Sequence, residues 1–172
     1  MKVIFLDRDG VINQEVDYLH EIKYFKFIDG IFEACKHFQL LGYELIVVTN
    51  QSGIARGYYQ EEDFHTITNW MLVQFNNHDV NILDVFFCPH GAKSTCKCRK
   101  PQPGMLLEAR DKYGINMKDS WVIGDKETDI DAANSAGVDN TILVKSGHSV
   151  DDANTKAKFI SESIKESIQI IL

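Results

Sequence analysis

Short continuous apolar runs alternate along the chain with longer stretches in which apolar residues return every three or four positions. Val3 to Leu6 is the first such run and stops at Asp7-Arg8-Asp9-Gly10, which reads as a buried strand entering a loop. Ile31, Ala34, Cys35 and Phe38 predict a helix from Ile31 to Leu41, with Gly42 as its stop. Glu44 to Val48 is a second strand, followed by the polar cluster Thr49-Asn50-Gln51-Ser52-Gly53. Phe64, Ile67, Met71 and Phe75 mark a helix from about Glu61 to Phe75, and Asp84 to Phe87 a third strand. The segment from Cys88 to Pro103 holds all three prolines of the chain and reads as loop. Helical spacing returns from Met105 to Tyr113, a strand runs from Trp121 to Asp125, and Ile130 to Ala136 is a short helix ended by Gly137. Thr141 to Val144 is a further strand. The tail carries Ile160, Ile164, Ile168 and Leu172 at intervals of four, which predicts a closing amphipathic helix, begun by a short edge strand.

Strands alternating with helices predict βαβ units: an α/β, Rossmann-like, doubly wound parallel sheet covered on both faces. The length, 172 residues, fits one domain spanning 1–172. Ligands of such sheets bind beyond the carboxyl ends of the strands. Here those ends carry Asp7 and Asp9, Thr49 and Asn50, and Asp125, so residues far apart in sequence are expected to meet in one crevice.

Composition narrows the partners. The net charge of −7 disfavours general nucleic-acid binding, which depends on lysine and arginine neutralising phosphates. A small anionic substrate stays compatible, because a few local cations outweigh a distant net charge. No apolar run approaches the ~20 residues needed to cross a bilayer. Acidic residues enter too early for a signal peptide. A cytoplasmic monomer acting on a small molecule is the expectation.

Asp7-Arg8-Asp9-Gly10 taken alone also describes a turn. It does not describe an EF-hand, whose loop requires Gly at the sixth and Glu at the twelfth position, where this chain has Ile12 and Tyr18. The wider constellation is more specific. Two carboxylates end one strand and a hydroxyl ends another. A basic pair, Arg99-Lys100, precedes a helix, and Asp125 ends a later strand with Lys126 beside it and Asp129 one helical turn on. Phosphoryl transfer needs such parts: a nucleophile, a divalent cation and cationic groups around the equatorial oxygens. Carboxylate oxygens suit magnesium.

Cys88-Pro89-His90 and Cys96-Lys97-Cys98 place three thiols and an imidazole within eleven residues. A Cys₃His set is tetrahedral zinc chemistry, and with every position filled by protein the role is structural. Cys35 stands apart on a helix face and reads as core.

Asp7-x-Asp9-Gly10, Thr49-Asn50, Lys100 and Gly124-Asp125-x-x-x-Asp129 resemble, in order, the four motifs of the haloacid-dehalogenase-like phosphatases, over nearly the whole chain. The resemblance implies that fold without a large cap domain and with a zinc-bound loop inserted. It implies Asp7 as the nucleophile that becomes an aspartyl phosphate, and Asp9 as general acid and then base. It implies magnesium on Asp7, the Asp9 carbonyl and Asp125, with Asp129 in support, and a phosphoryl group held by Thr49 and Lys100. Two families of this superfamily share such a zinc loop: heptose 1,7-bisphosphate 7-phosphatases and histidinol-phosphate phosphatases. Phe27 to Gly30, Thr49 to Gly57, Cys98 to Met105 and Gly124 to Lys126 resemble the heptose enzymes, with Ile54-Ala55-Arg56-Gly57 the most discriminating run. The short gap between His90 and Cys96 resembles the histidinol-phosphate form. Carried over by position, Glu15, Val16, Asp17 and Tyr18, with Thr49, Asn50, Gln51 and Ser52, line the substrate pocket. Arg99 recognises the substrate, and Lys126 lies at the phosphate and metal. The implied activity is removal of the 7-phosphate of a heptose bisphosphate, in nucleotide-heptose precursor synthesis for lipopolysaccharide and related surface polysaccharides. The alternative is histidinol-phosphate hydrolysis in histidine biosynthesis. A receiver-like signalling module is a third class; it phosphorylates an Asp at the end of its third strand, and here Cys88 stands there.

Overall fold

The computed structural model describes residues 1–172. Its sheet is built from β1 (Val3–Leu6), β2 (Glu44–Asn50), β3 (Asp84–Cys88), β4 (Trp121–Gly124), β5 (Asn140–Val144) and β6 (Phe159–Ser161). The helices are α1 (Ile31–Leu40), α2 (Glu61–Asn77), α3 (Gly104–Tyr113) and α4 (Glu127–Ala136). The strand order is β3-β2-β1-β4-β5-β6, and every neighbouring pair is parallel.

Side chains of β1 alternate between two cores, as the pleat requires. Ile4 and Leu6 join Leu45, Val47 and Ile123 beneath the aromatic side chains of α1 and α2, including Phe38 and Phe75. Val3 and Phe5 join Ile46, Val48 and Val122 beneath Leu106 and Ala109 of α3 and Ala132 and Ala133 of α4. Both faces of the sheet are thus covered, which is why its strands read as unbroken apolar runs. Phe5 is fully buried in the central strand, opposite Ile46 and Val122. Truncating it to Ala would cost about 3–5 kcal/mol.

Successive strands β1, β2 and β3 step toward one edge, and β4, β5 and β6 toward the other. The order reverses between β1 and β4, and the crevice at such a switch point is where a ligand site belongs.

The tail departs from the sequence expectation. The edge strand is present as β6, but the closing helix is reduced to a 3₁₀ turn at Glu166–Gln169. Serines explain it. Ser163 is bonded through both its amide and its hydroxyl to Glu166, and the Ser161 hydroxyl donates to the Ser163 carbonyl. These local bonds compete with a helical ladder. Ile164 and Ile171 are still buried against the core. No helix is long and apolar enough to cross a membrane.

Candidate active site

A polar cavity of about 340 Å³ opens at the carboxyl ends of the strands. Asp7 follows β1, Lys100 lies in the loop before α3, Asp125 follows β4, and Asp129 is in the first turn of α4. All four are buried in the cavity floor. Lys100 Nζ lies 3.0 Å from Asp7 Oδ1 and 2.6 Å from Asp129 Oδ1, and donates to the Val48 carbonyl at 2.8 Å. Burial opposes charge on Lys100, but Asp129 and Asp7 outweigh it and hold its ammonium above the usual lysine range. Burial and then Asp129 push the Asp7 carboxyl well above its ordinary range, against the pull of Lys100.

Asp7, Asp125 and Asp129 each bring a carboxylate oxygen within 4.8 Å of the others. Three carboxylates against one buried ammonium leave an excess of negative charge, which a divalent cation would balance. Asp125 Oδ1 is buried without a hydrogen-bond partner, as a ligand oxygen would be before its cation arrives. The donor set is all oxygen, which fits magnesium.

Asp125 Oδ2, by contrast, is fully engaged. It accepts the His148 amide at 3.1 Å, and His148 Nδ1 stands 2.6 Å away. A carboxylate oxygen only accepts, so the ring proton is on Nδ1. Gly10 and Gly147 close around the same oxygen: a Cβ at either would come within 2.3 Å of it. Gly10, at φ +86, also takes a backbone conformation that L side chains rarely adopt. Ser146 Oγ donates to the Gly10 carbonyl at 2.6 Å.

Asp9 sits on the cavity wall. Its Oδ1 accepts from Arg8 Nη2 and from Asn13 Nδ2, each at 3.0 Å, and its Oδ2 from Gln51 Nε2 at 3.2 Å. Arg8 is almost wholly buried, and its Nη2 also donates to the Leu19 carbonyl at 3.2 Å. One side chain thereby ties Asp9 to the segment that carries Glu15 to Tyr18. Glu15 lines the cavity, and burial and then the Asp9 charge push its carboxyl up to about 7.

Val16, Asp17, Tyr18, Asn50, Gln51, Ser52, Arg99 and Lys126 all line this cavity. Thr49 does not. It is fully buried, and its hydroxyl accepts from Gln51 Nε2 at 2.9 Å. Asn50 instead clamps Lys100: its amide donates to the Lys100 carbonyl and accepts the Lys100 amide, both at 3.1 Å. The sequence reading missed Tyr59, whose hydroxyl donates to Gln51 Oε1, and Arg56, which also lines the cavity with its guanidinium 5.6 Å from the Tyr18 ring centre. It also missed Ser146-Gly147-His148. These three follow β5, so the same strand-end rule would have found them.

The cysteine loop leaves β3 beside this cavity. Cys88 Sγ lies 3.4 Å from His90 Nδ1, 3.7 Å from Cys96 Sγ and 2.9 Å from Cys98 Sγ, and His90 Nδ1 lies 3.3 Å from Cys98 Sγ. Ligands at about 2.0–2.3 Å around a tetrahedral zinc stand roughly this far apart. Burial pushes the Cys88 thiol up to about 12. At Cys96 burial acts the same way, but donors from Ser94 and the Arg99 backbone prevail and bring the thiol down to about 6. The loop runs straight into Arg99, whose Nη1 donates back to the His90 carbonyl at 3.3 Å.

Comparison with known proteins agrees with this geometry. A family model for HAD-hydrolase-like proteins matches residues 97–167. The chain is 45 % identical to a protein of Photorhabdus laumondii named D-glycero-alpha-D-manno-heptose-1,7-bisphosphate 7-phosphatase, over 91 % of this chain and 90 % of that one. It is 43 % identical to the D-glycero-beta-D-manno-heptose-1,7-bisphosphate 7-phosphatase of Escherichia coli K12, over 98 % and 92 %. Among solved structures, the D,D-heptose 1,7-bisphosphate phosphatase of B. bronchiseptica, complexed with magnesium and phosphate, superposes with a TM-score of 0.87 at 27 % identity, covering 99 % of this chain and 98 % of that one. With the Asp7–Gly10 loop, Lys100 and the Asp125–Asp129 segment gathered at the switch point of the sheet, this chain belongs to the haloacid-dehalogenase-like phosphatases, in the family of the heptose-1,7-bisphosphate 7-phosphatases.

Proposed function

We propose that this chain removes the 7-phosphate of D-glycero-D-manno-heptose 1,7-bisphosphate, as a single-domain monomer in the cytoplasm, on the route to nucleotide-activated heptose for surface polysaccharide. The observation that carries the reading is the buried Asp7–Lys100–Asp129 array beside Asp125, at the floor of a cavity rimmed by arginine.

Asp7 attacks phosphorus, and the bond to the sugar O7 breaks. Asp9 gives its proton to the departing oxygen. Asp9 then takes a proton from water, which attacks the aspartyl phosphate, releases inorganic phosphate and restores Asp7. Arg8, Asn13 and Gln51 fix the Asp9 carboxyl in place for both transfers. Lys100 gives positive charge to the transferring group while tethered to Asp129. Thr49 accepts from Gln51 and keeps its own hydroxyl proton to donate to the phosphoryl group beside Lys100. Asp7, the Asp9 carbonyl and Asp125 would hold magnesium, which would neutralise charge at the phosphoryl oxygens when bound. Zinc on Cys88, His90, Cys96 and Cys98 serves structure, keeping Arg99 and Lys100 at the cavity.

Arg99 is suited to the phosphate that is held and not cleaved, because a planar guanidinium grips phosphate oxygens in two places. Glu15 to Tyr18, Asn50 to Ser52 and Lys126 complete the sugar pocket. The test is the ratio of specificity constants for heptose bisphosphate and histidinol phosphate on one preparation. A large preference for the bisphosphate is expected; a ratio near one, or inverted, would overturn the substrate and leave the chemistry standing. The two anomers of the bisphosphate belong in the same assay, since the named relatives differ in this respect.

A further inference from the structure

The segment after β5 is absorbed by none of the roles above, yet it makes the closest contacts to Asp125. Ser146 ties the Asp7–Gly10 loop to the β5 end through the Gly10 carbonyl. Gly10 and Gly147 confine Asp125 Oδ2 from two sides, where any side chain would collide with it. His148 then donates to that same oxygen twice, from its amide at 3.1 Å and from Nδ1 at 2.6 Å. The opposite ring edge, Nε2, stands 3.9 Å from Glu15 Oε1. Asp125 Oδ1 has no partner at all.

We infer that His148 is a positioning residue for the cation site: it fully occupies one oxygen of Asp125 so that the other is presented to the divalent ion. A free carboxylate next to a cation can rotate or bind through either oxygen. Two donors on Oδ2 remove that freedom, so the ordering entropy is spent in folding and not in ion binding. His148 itself is not a ligand, because Nδ1 carries a proton and Nε2 faces Glu15. The side chain is about a third exposed, so its replacement leaves the core untouched.

This inference rests on Asp125 holding magnesium. The test is direct titration of the purified, zinc-loaded protein with magnesium by calorimetry, with manganese paramagnetic resonance as a second readout. His148→Ala keeps the backbone donor but loses the ring, and is expected to weaken the ion about ten- to a hundredfold. His148→Asn places a side-chain N–H where Nδ1 was and is expected to recover most of that loss. Alanine binding magnesium like the wild type, or asparagine failing as badly as alanine with both melting normally, would overturn the role. Failure of the functional reading looks different: the wild type binds no magnesium, or Asp125→Asn leaves binding intact, and the assignment of His148 falls with it.

Discussion

The carboxylate centre and the cysteine loop lie side by side but are built in opposite ways. Asp7, Lys100, Asp125 and His148 come from the ends of separate segments and are fixed by the sheet and by one another. The four loop donors come from eleven successive residues: Cys88 ends β3 inside the core, and His90, Cys96 and Cys98 follow in the loop that leaves it. In the first region the protein provides the geometry, and a cation relieves the repulsion that buried like charges cost. In the second a cation would fix the geometry of the polar stretch between Cys88 and Cys98, which is anchored in the core only at its ends. Removing charge should therefore act on activity in one region, and removing metal on stability in the other.

The largest effect tests the first half of that contrast. Asp7→Asn should lower turnover by more than about a thousandfold, because the amide is a poor nucleophile, while the melting temperature stays at or above the wild-type value. Residual activity of a tenth, or a collapsed fold, would break the division. Zinc removal tests the second half. Chelation, or Cys96→Ser, should lower the melting temperature by roughly 5–10 °C, on the order of 2–3 kcal/mol for a chain of this size. Elemental analysis should show one zinc per chain beforehand; its absence, with four thiols titrating freely in the native protein, would remove the loop from the comparison.

Arg99 is the seam between the two regions, bonded to His90 and facing the cavity. Arg99→Ala should cost about ten- to a hundredfold in specificity constant for a sugar bisphosphate and much less for a simple monophosphate ester. An equal loss on both would mean that the loop acts on Lys100 and not on the second phosphate. The smallest effect concerns Glu15. Its carboxyl is raised to about 7 in the fold from 4.5. The folded state therefore holds this proton more tightly, and stability falls as pH rises from 4.5 through 7. Glu15→Gln should make the magnesium-free protein slightly more stable than the wild type at pH 8, with the advantage fading toward pH 5. No pH dependence in that difference would show that Glu15 carries no strain from its neighbours.

The contrast also explains what could be read from the chain in advance. The cysteine loop was fully legible, because its ligands are neighbours in sequence and their chemistry is distinctive. The acidic residues at strand ends were legible through the rule that parallel sheets bind ligands there. The bond network was not. Arg8 has no assigned place in the sequence until its contacts with Asp9 and Leu19 are seen. Thr49 reads as a free hydroxyl until Gln51 is found on it. His148 has no motif; the strand-end rule puts it near the cavity after β5, but its bonds to Asp125 are seen only in the structure. The tail misled because spacing at intervals of four ignores what serines do to a backbone.

The strand order has a consequence for how the molecule comes into being on the ribosome. β1 emerges before the other strands but lies in the middle of the sheet, and its second neighbour, β4, is made more than a hundred residues later. Until then, one edge of β1 has no strand to pair with, and Asp7 stands at its tip. The cysteine segment is synthesised in that interval, between β3 and α3. The four cysteine-loop donors are therefore all synthesised before Asp125 and Asp129 exist to complete the acidic cluster.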